Sequence, residues 1–133
     1  MTGEARVRAF LETMFATLDR EAFATVASWL APDAELGDEL TGGWRRGRED
    51  VAAYLAGQSG AVTEVRSRLT SVAASCPADG LGLATFAVRQ TYRLGGAPRD
   101  ETLLGTMLVD LGDPGQPRLR LLHLGPARAA AAA

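Results

Sequence analysis

The 133-residue chain contains no lysine, no asparagine and no isoleucine, and all 14 of its basic residues are arginine. These three missing residues have A/T-rich codons, so the bias points to a high-GC genome. Without lysine there is no side-chain Schiff base, no phosphate-loop lysine and no lysine general base. There is a single histidine, His123, and a single cysteine, Cys76. An internal disulfide and a His/Cys zinc site within one chain are therefore excluded. Long apolar runs are also missing: although 47% of residues are apolar, charges interrupt them well short of a membrane span. The opening Met1-Thr2-Gly3-Glu4-Ala5-Arg6 lacks the basic-then-apolar plan of a secretory signal, and a cytoplasmic protein is expected. A formal net charge of −2 gives no electrostatic case for nucleic acid or an anionic membrane as partner.

What is present has one helical half and one extended half. Val7, Phe10, Leu11, Met14, Phe15 and Leu18 share one helix face. Asp19 is placed to cap a second helix carrying Phe23, Val26, Ala27 and Leu30, closed by Pro32. A short strand is expected from Ala34 to Leu40 and another from Trp44 to Arg46, around a Thr41-Gly42-Gly43 turn. A third helix is expected over Arg48–Ala56, with Val51, Tyr54 and Leu55 inward and Gly57 past its end. From Glu64 the period becomes two. Strands are expected over Glu64–Ser75, Leu83–Leu94, Arg99–Leu111 and Arg118–Leu124, joined by turns at 77–80, Gly95-Gly96 and 112–115. This order predicts an α+β domain over residues 1–126, with a frayed Ala-rich tail over 127–133.

Several segments in this order resemble the NTF2-like superfamily and its ketosteroid isomerase-like and SnoaL-like members. "TLDREAFATVASWLAPDAEL" resembles the family's second helix and its exit into the first strand, and "GWRRGREDVAAYL" its entry to the third helix. "EVRSRLTSVAAS" and "FAVRQTY" resemble two of its strands. The resemblance implies a cone: three helices packed on a curved, mostly antiparallel sheet that encloses an apolar cavity. It further implies an apolar small-molecule ligand, no cofactor, no metal, and a homodimer formed through the outer sheet face. Members include isomerases, dehydratases, polyketide cyclases, epoxide hydrolases and epoxide-opening cyclases, and others that only bind, so the fold does not settle the activity.

By its spacing in "APDAELGD", Asp38 matches the family's aspartate general base. A carboxylate at the mouth of an apolar cavity is partly desolvated and correspondingly stronger as a base. The alternative is a solvated aspartate beside the Gly37 and Thr41-Gly42-Gly43 turns. Where the family has its oxyanion tyrosine and its protonated aspartic acid, this chain has Met14 and Gly105. Steroid isomerisation is therefore not expected, and cyclisation, epoxide opening or dehydration suits the residues better. Glu64 is a candidate acid partner, with Tyr92 and Tyr54 as other possible donors; a solvated strand-start charge is the plainer role for Glu64.

On the strand 86–92 the even positions share a face. Phe86, Val88, Gln90 and Tyr92 are then expected to line the cavity with Met14, Phe15, Leu30, Tyr54, Leu103 and Leu122, while Arg89, Thr91 and Arg93 face out. Gln90 either orients a substrate hydroxyl or carbonyl or serves as a hydrogen-bonded core amide. On the last strand Arg120, Leu122 and Leu124 are expected inward and His123 outward, on the dimer face. Cys76 has no base in sequence reach, and Trp44-Arg45-Arg46-Gly47-Arg48 reads as a solvated turn with a buried tryptophan or as an anion site. Gly57-Gln58-Ser59-Gly60-Ala61 and Gly80-Leu81-Gly82-Leu83 lack the context of a nucleophile elbow and a dinucleotide loop. Two functions from different classes follow. One is a cofactor-free acid–base enzyme of secondary metabolism, and the other a non-catalytic binding or scaffolding dimer.

Overall fold

Thr2 opens the first helix, its hydroxyl accepting from the amide of Ala5 at 3.1 Å. In the computed structural model, which describes residues 1–39, 41–112 and 115–127, this helix is α1 (Gly3–Asp19). It is followed by α2 (Phe23–Ala27), β1 (Leu30–Asp38), β2 (Gly43–Arg46) and α3 (Arg48–Gln58). The extended half forms β3 (Val62–Ala78), β4 (Leu81–Leu94), β5 (Ala97–Asp110) and β6 (Arg118–Pro126). Leu40 of the expected first strand, Asp113 and Pro114 of the expected turn, and 128–133 of the expected tail lie outside the described residues.

The strands make one six-stranded sheet in the order β2-β1-β6-β5-β4-β3, antiparallel except where β1 runs parallel to β6. Breaks in register along β3–β4 and β5–β6 help the sheet to curl. Helix α1 packs on β3 and β4, and α3 on β1 and α2. Val7, Leu11, Met14, Val88, Met107 and Val109 are fully buried between these layers. The α+β cone is thus observed as expected. No described helix is long and apolar enough to cross a membrane.

Three local expectations are corrected. Asp19 does not cap α2, which begins after Ala22 without a side-chain bond; it ends α1 and accepts from Ser67 on β3. Pro32 does not close a helix, because α2 already stops at Ala27 and Leu30 belongs to β1. Pro32 sits in the irregular stretch of β1 between the Leu30 and Glu35 pairings with β6, where a missing N–H leaves no ladder bond unmade. Arg120 does not face inward. A register shift on β6 lets both Leu119 and Leu122 point to the core and turns Arg120 out to Asp33, 3.1 Å away.

Gly105 sits directly opposite Phe86, whose ring lies so close to the glycine that a Cβ there would collide with it. The space that an acid would need is filled by this ring, which also packs edge-on against Phe15. Gly105→Ala is therefore expected to cost about 1–3 kcal/mol by overpacking. Urea unfolding is the measurement, and an unchanged midpoint would show that Phe86 moves aside freely.

Candidate functional site

A cavity of about 200 Å³ opens between α1, α3 and the inner face of the sheet. Its wall is mostly aliphatic and aromatic: Phe15, Leu18, Phe23, Leu36, Leu55, Val65, Leu103, Leu122 and Leu124 contribute. Asp38, Thr41, Tyr54, Gln58, Gln90 and Tyr92 supply the polar part. An apolar hollow with a few convergent polar groups is the arrangement of a small-molecule site.

Asp38 is the last residue of β1, paired with Gly43 of β2 and Leu124 of β6. Strand alternation points it to the same side as buried Leu36, while Gly37 between them faces out beneath Trp44. The Tyr54 hydroxyl on α3 donates to Asp38 Oδ2 at 2.7 Å. The Thr41 hydroxyl donates to the Asp38 carbonyl at 3.3 Å. The Arg45 guanidinium lies 5.1 Å from the Tyr54 ring centre, a cation–π contact at the cavity rim.

On β4, Tyr92 donates to Glu101 Oε2 at 2.8 Å. Glu101 faces the inside because it shares the parity of Leu103 on β5. Burial, and then the hydrogen bond to Asp38, push the Tyr54 hydroxyl up to about 12. Burial and the bond to Glu101 likewise hold the Tyr92 proton well above the ordinary range, with a further upward push from the charge of Asp38. Both tyrosines are thus neutral donors at physiological pH, and their hydrogens are directed to carboxylates.

This carries a stability prediction. The folded chain keeps a Tyr54 proton that the unfolded chain loses near 10, so between about pH 10 and 12 the native state binds more protons than the unfolded one. Stability should accordingly fall as pH rises through that window. With no lysine in the chain, few other groups titrate there. Urea unfolding at pH 9 and pH 11 should show the loss, and Tyr54→Phe should shrink it; an equal loss in the variant would remove Tyr54 as its source.

Of the expected site residues, the structure brings Asp38, Phe15, Tyr54, Gln90, Tyr92, Leu103 and Leu122 to one cavity. Met14, Leu30, Phe86 and Val88 do not line it. They are packed into the core behind the wall, at 4% exposure or less. Glu64 is also outside: its left-handed backbone (φ 54°) falls at a register break of β3, which turns the side chain out to an ion pair with Arg93. No carboxylate pair of Asp38 with Glu64 is formed.

His123 stands outside the cavity, stacked on Trp44 with ring centres 5.7 Å apart, its Nε2 4.0 Å from Glu39. Trp44 is not buried but 45% exposed on that outer face. The neighbouring arginines are already engaged: Arg46 with Glu35, Arg48 with the Leu30 carbonyl, and Arg45 with Tyr54. Cys76 is exposed. Among the described residues no cluster of His, Cys, Asp or Glu has the makings of a metal site.

Sequence reasoning missed Glu101, the contact of Arg45 with Tyr54, and the Asp19–Ser67 pair behind Gln90. The parity of β5 was the available signal for Glu101. For the others no signal existed short of strand register.

No protein-family model and no curated protein sequence matches the chain. Solved structures do match. An NTF2-like family protein from Streptomyces avermitilis superposes with a TM-score of 0.81 at 20% identity, covering 96% of this chain and 100% of that one. A ketosteroid isomerase-like protein from Erwinia carotovora atroseptica gives 0.79 at 12% identity, covering 95% and 97%. ActVI-ORFA from Streptomyces coelicolor gives 0.70 at 21% identity, covering 94% and 97%. The fold is that of the NTF2-like proteins.

Proposed function

We propose that this NTF2-like cone is a cofactor-independent acid–base enzyme acting on an apolar small molecule, of the polyketide-type cyclase or epoxide hydrolase/cyclase kind, with Asp38 as the general base. The observation that carries this reading is the Asp38–Tyr54 hydrogen bond of 2.7 Å on the wall of an otherwise apolar cavity. Tyr54 holds the carboxylate in one orientation, and the aliphatic wall keeps water from competing for it. The carboxylate accepts a proton from one of two sources. One is carbon next to a carbonyl, leaving the electron pair as an enolate. The other is a hydroxyl whose oxygen attacks an epoxide carbon while that carbon's bond to the ring oxygen breaks and the released alkoxide takes a proton from solvent. Tyr92 with Glu101, rather than Glu64, forms the second polar pair. Steroid-type enolate stabilisation has little support: Met14 is sealed in the core and Gly105 lies under Phe86.

Tyr54→Phe, which removes the positioning bond without touching the carboxylate, is expected to lower kcat about tenfold, a modest share of what acid–base catalysis contributes. Steady-state kinetics on any epoxide or cyclisable ketone that the wild type turns over would check it. An unchanged kcat would leave Tyr54 without a part in the reaction.

One observation favours a second reading, a non-catalytic small-molecule binder. Both tyrosine hydrogens already go to carboxylates, so neither is offered to a developing oxyanion. Saturable binding of apolar ligands without turnover of any of them would support it.

The assembly proposed is a twofold dimer through the outer sheet face, where Leu104 is 55% exposed and shares its side of β5 with Leu108, the partner of Leu121 on β6. Light scattering should return twice the 14.0 kDa chain mass; a monomer at micromolar concentration would count heavily against it.

A further inference from the structure

The polar end of Gln90, a cavity residue, is held by a two-step relay that begins outside the cavity wall. It stands directly opposite Ser67 in the β3–β4 register, and its Nε2 donates to Ser67 Oγ at 3.0 Å. Ser67 Oγ in turn lies 2.6 Å from Asp19 Oδ1, and the Ser67 amide donates to Asp19 Oδ2 at 2.9 Å. The direction of each bond follows from proton inventory. An ionised carboxylate only accepts, and a hydroxyl has a single hydrogen. Ser67 therefore gives its hydrogen to Asp19 and can only accept from Gln90. The end of Gln90 that touches Ser67 must be the NH₂ group, and the carbonyl oxygen Oε1 is the end left for the cavity. Among the described residues nothing donates to that oxygen.

Asp19 stands in an unfavourable place for a carboxylate. It closes α1 at the negative end of the helix dipole, in a last turn with no basic residue. Its two bonds from Ser67 compensate for that placement, and the same bonds set the amide orientation one residue further on.

We propose that Asp19 and Ser67 are positioning residues that fix the Gln90 amide with its carbonyl oxygen toward the cavity, so that the site selects neutral apolar molecules bearing a hydroxyl or N–H donor over the same skeleton bearing a carbonyl. This rests on the reading of the cavity as a small-molecule site. It names a requirement which that reading leaves open. An apolar wall rejects a wrong substituent weakly, whereas a polar atom left unpaired against the ligand rejects it strongly.

The test uses three bicyclic probes of similar size: 1-naphthol as donor, 1-tetralone as acceptor, and 1-methylnaphthalene as neutral reference. Dissociation constants are measured for the wild type, Gln90→Leu, Ser67→Ala and Asp19→Asn, with thermal melts confirming that each is folded. The Gln90→Leu ratios remove the intrinsic differences between the probes. Relative to that variant, the wild type should prefer 1-naphthol over 1-tetralone by about tenfold, the worth of one net hydrogen bond.

Ser67→Ala frees the amide to rotate and should bring the preference close to one. Asp19→Asn should reverse it: the amide introduced at that position would donate to Ser67 Oγ, Ser67 would donate to Gln90 Oε1, and the Gln90 NH₂ group would turn to the cavity. A merely structural tether between α1 and β3 would weaken all three probes together and reverse nothing. If the wild type binds the probes with the Gln90→Leu ratios, or prefers 1-tetralone, the proposal is overturned while the cavity reading stands. If none of the probes binds the wild type at millimolar concentration, the cavity reading falls and this proposal with it. If Asp19→Asn does not fold, Ser67→Ala and Gln90→Leu decide alone.

Discussion

Asp38→Asn is expected to lower turnover by about two to four orders of magnitude, the usual weight of a general base, with little change in melting temperature. Asn keeps the size of the side chain and one oxygen to accept from Tyr54, whose hydroxyl lies 2.7 Å from Asp38 Oδ2. What it loses is the second basic oxygen and the charge. The pairing of Asp38 with Gly43 and Leu124 is made by backbone, and the bond from Tyr54 survives in the variant, so the fold is expected to hold. The measurement is kcat for a substrate that the wild type converts, set beside a thermal melt of both proteins. Normal turnover in the variant would end the assignment. Collapse of the melt would instead make Asp38 a structural turn residue and strengthen the binder reading.

The largest effect on stability is expected from Phe86→Ala, at about 3–5 kcal/mol. Phe86 is 4% exposed, its ring fills the space over Gly105, and it meets Phe15 edge-on with ring centres 5.5 Å apart. Truncation removes the transfer free energy of the ring and the aromatic pair, and leaves a void that a glycine backbone cannot fill. Phe15 itself lines the cavity, so the void should join the site and admit larger probes. Urea unfolding gives the stability change, and titration with ligands of increasing size gives the enlargement. A loss below about 1 kcal/mol would mean that the surrounding residues collapse into the gap.

These two predictions draw on unequal shares of sequence and structure. Asp38 was legible because its spacing within "APDAELGD" matches a known pattern, and the structure sets it in the cavity wall. Phe86 was legible as inward by alternation, but not as a core residue behind the wall. Alternation assigns a face and says nothing of depth. Arg120 turns out rather than in because it lies at a register shift, and an inserted residue reverses the parity of everything counted across it. At Glu64 the shift in β3 leaves the plainer of its two roles, a solvated strand-start charge. Trp44 was expected inside on hydrophobicity alone, yet its strand position opposite Gly37 places it outside, against His123.

By itself, the sequence determined which chemistry a single chain cannot perform, since a lysine, a second histidine or a second cysteine cannot be supplied by folding. It also determined the element order and the α+β class, because hydrophobic period and turn residues act over a few positions of the chain. Only the tertiary structure decided which carboxylate meets which hydroxyl. Tyr54 reaches Asp38, Tyr92 reaches Glu101, and Ser67 reaches Asp19 across 48 positions of chain. Such pairings depend on strand register, on bulges and on where a helix ends against a sheet. A hydrogen bond requires its two atoms within about 3 Å of each other and rightly aligned, and nothing local in the chain encodes that distance.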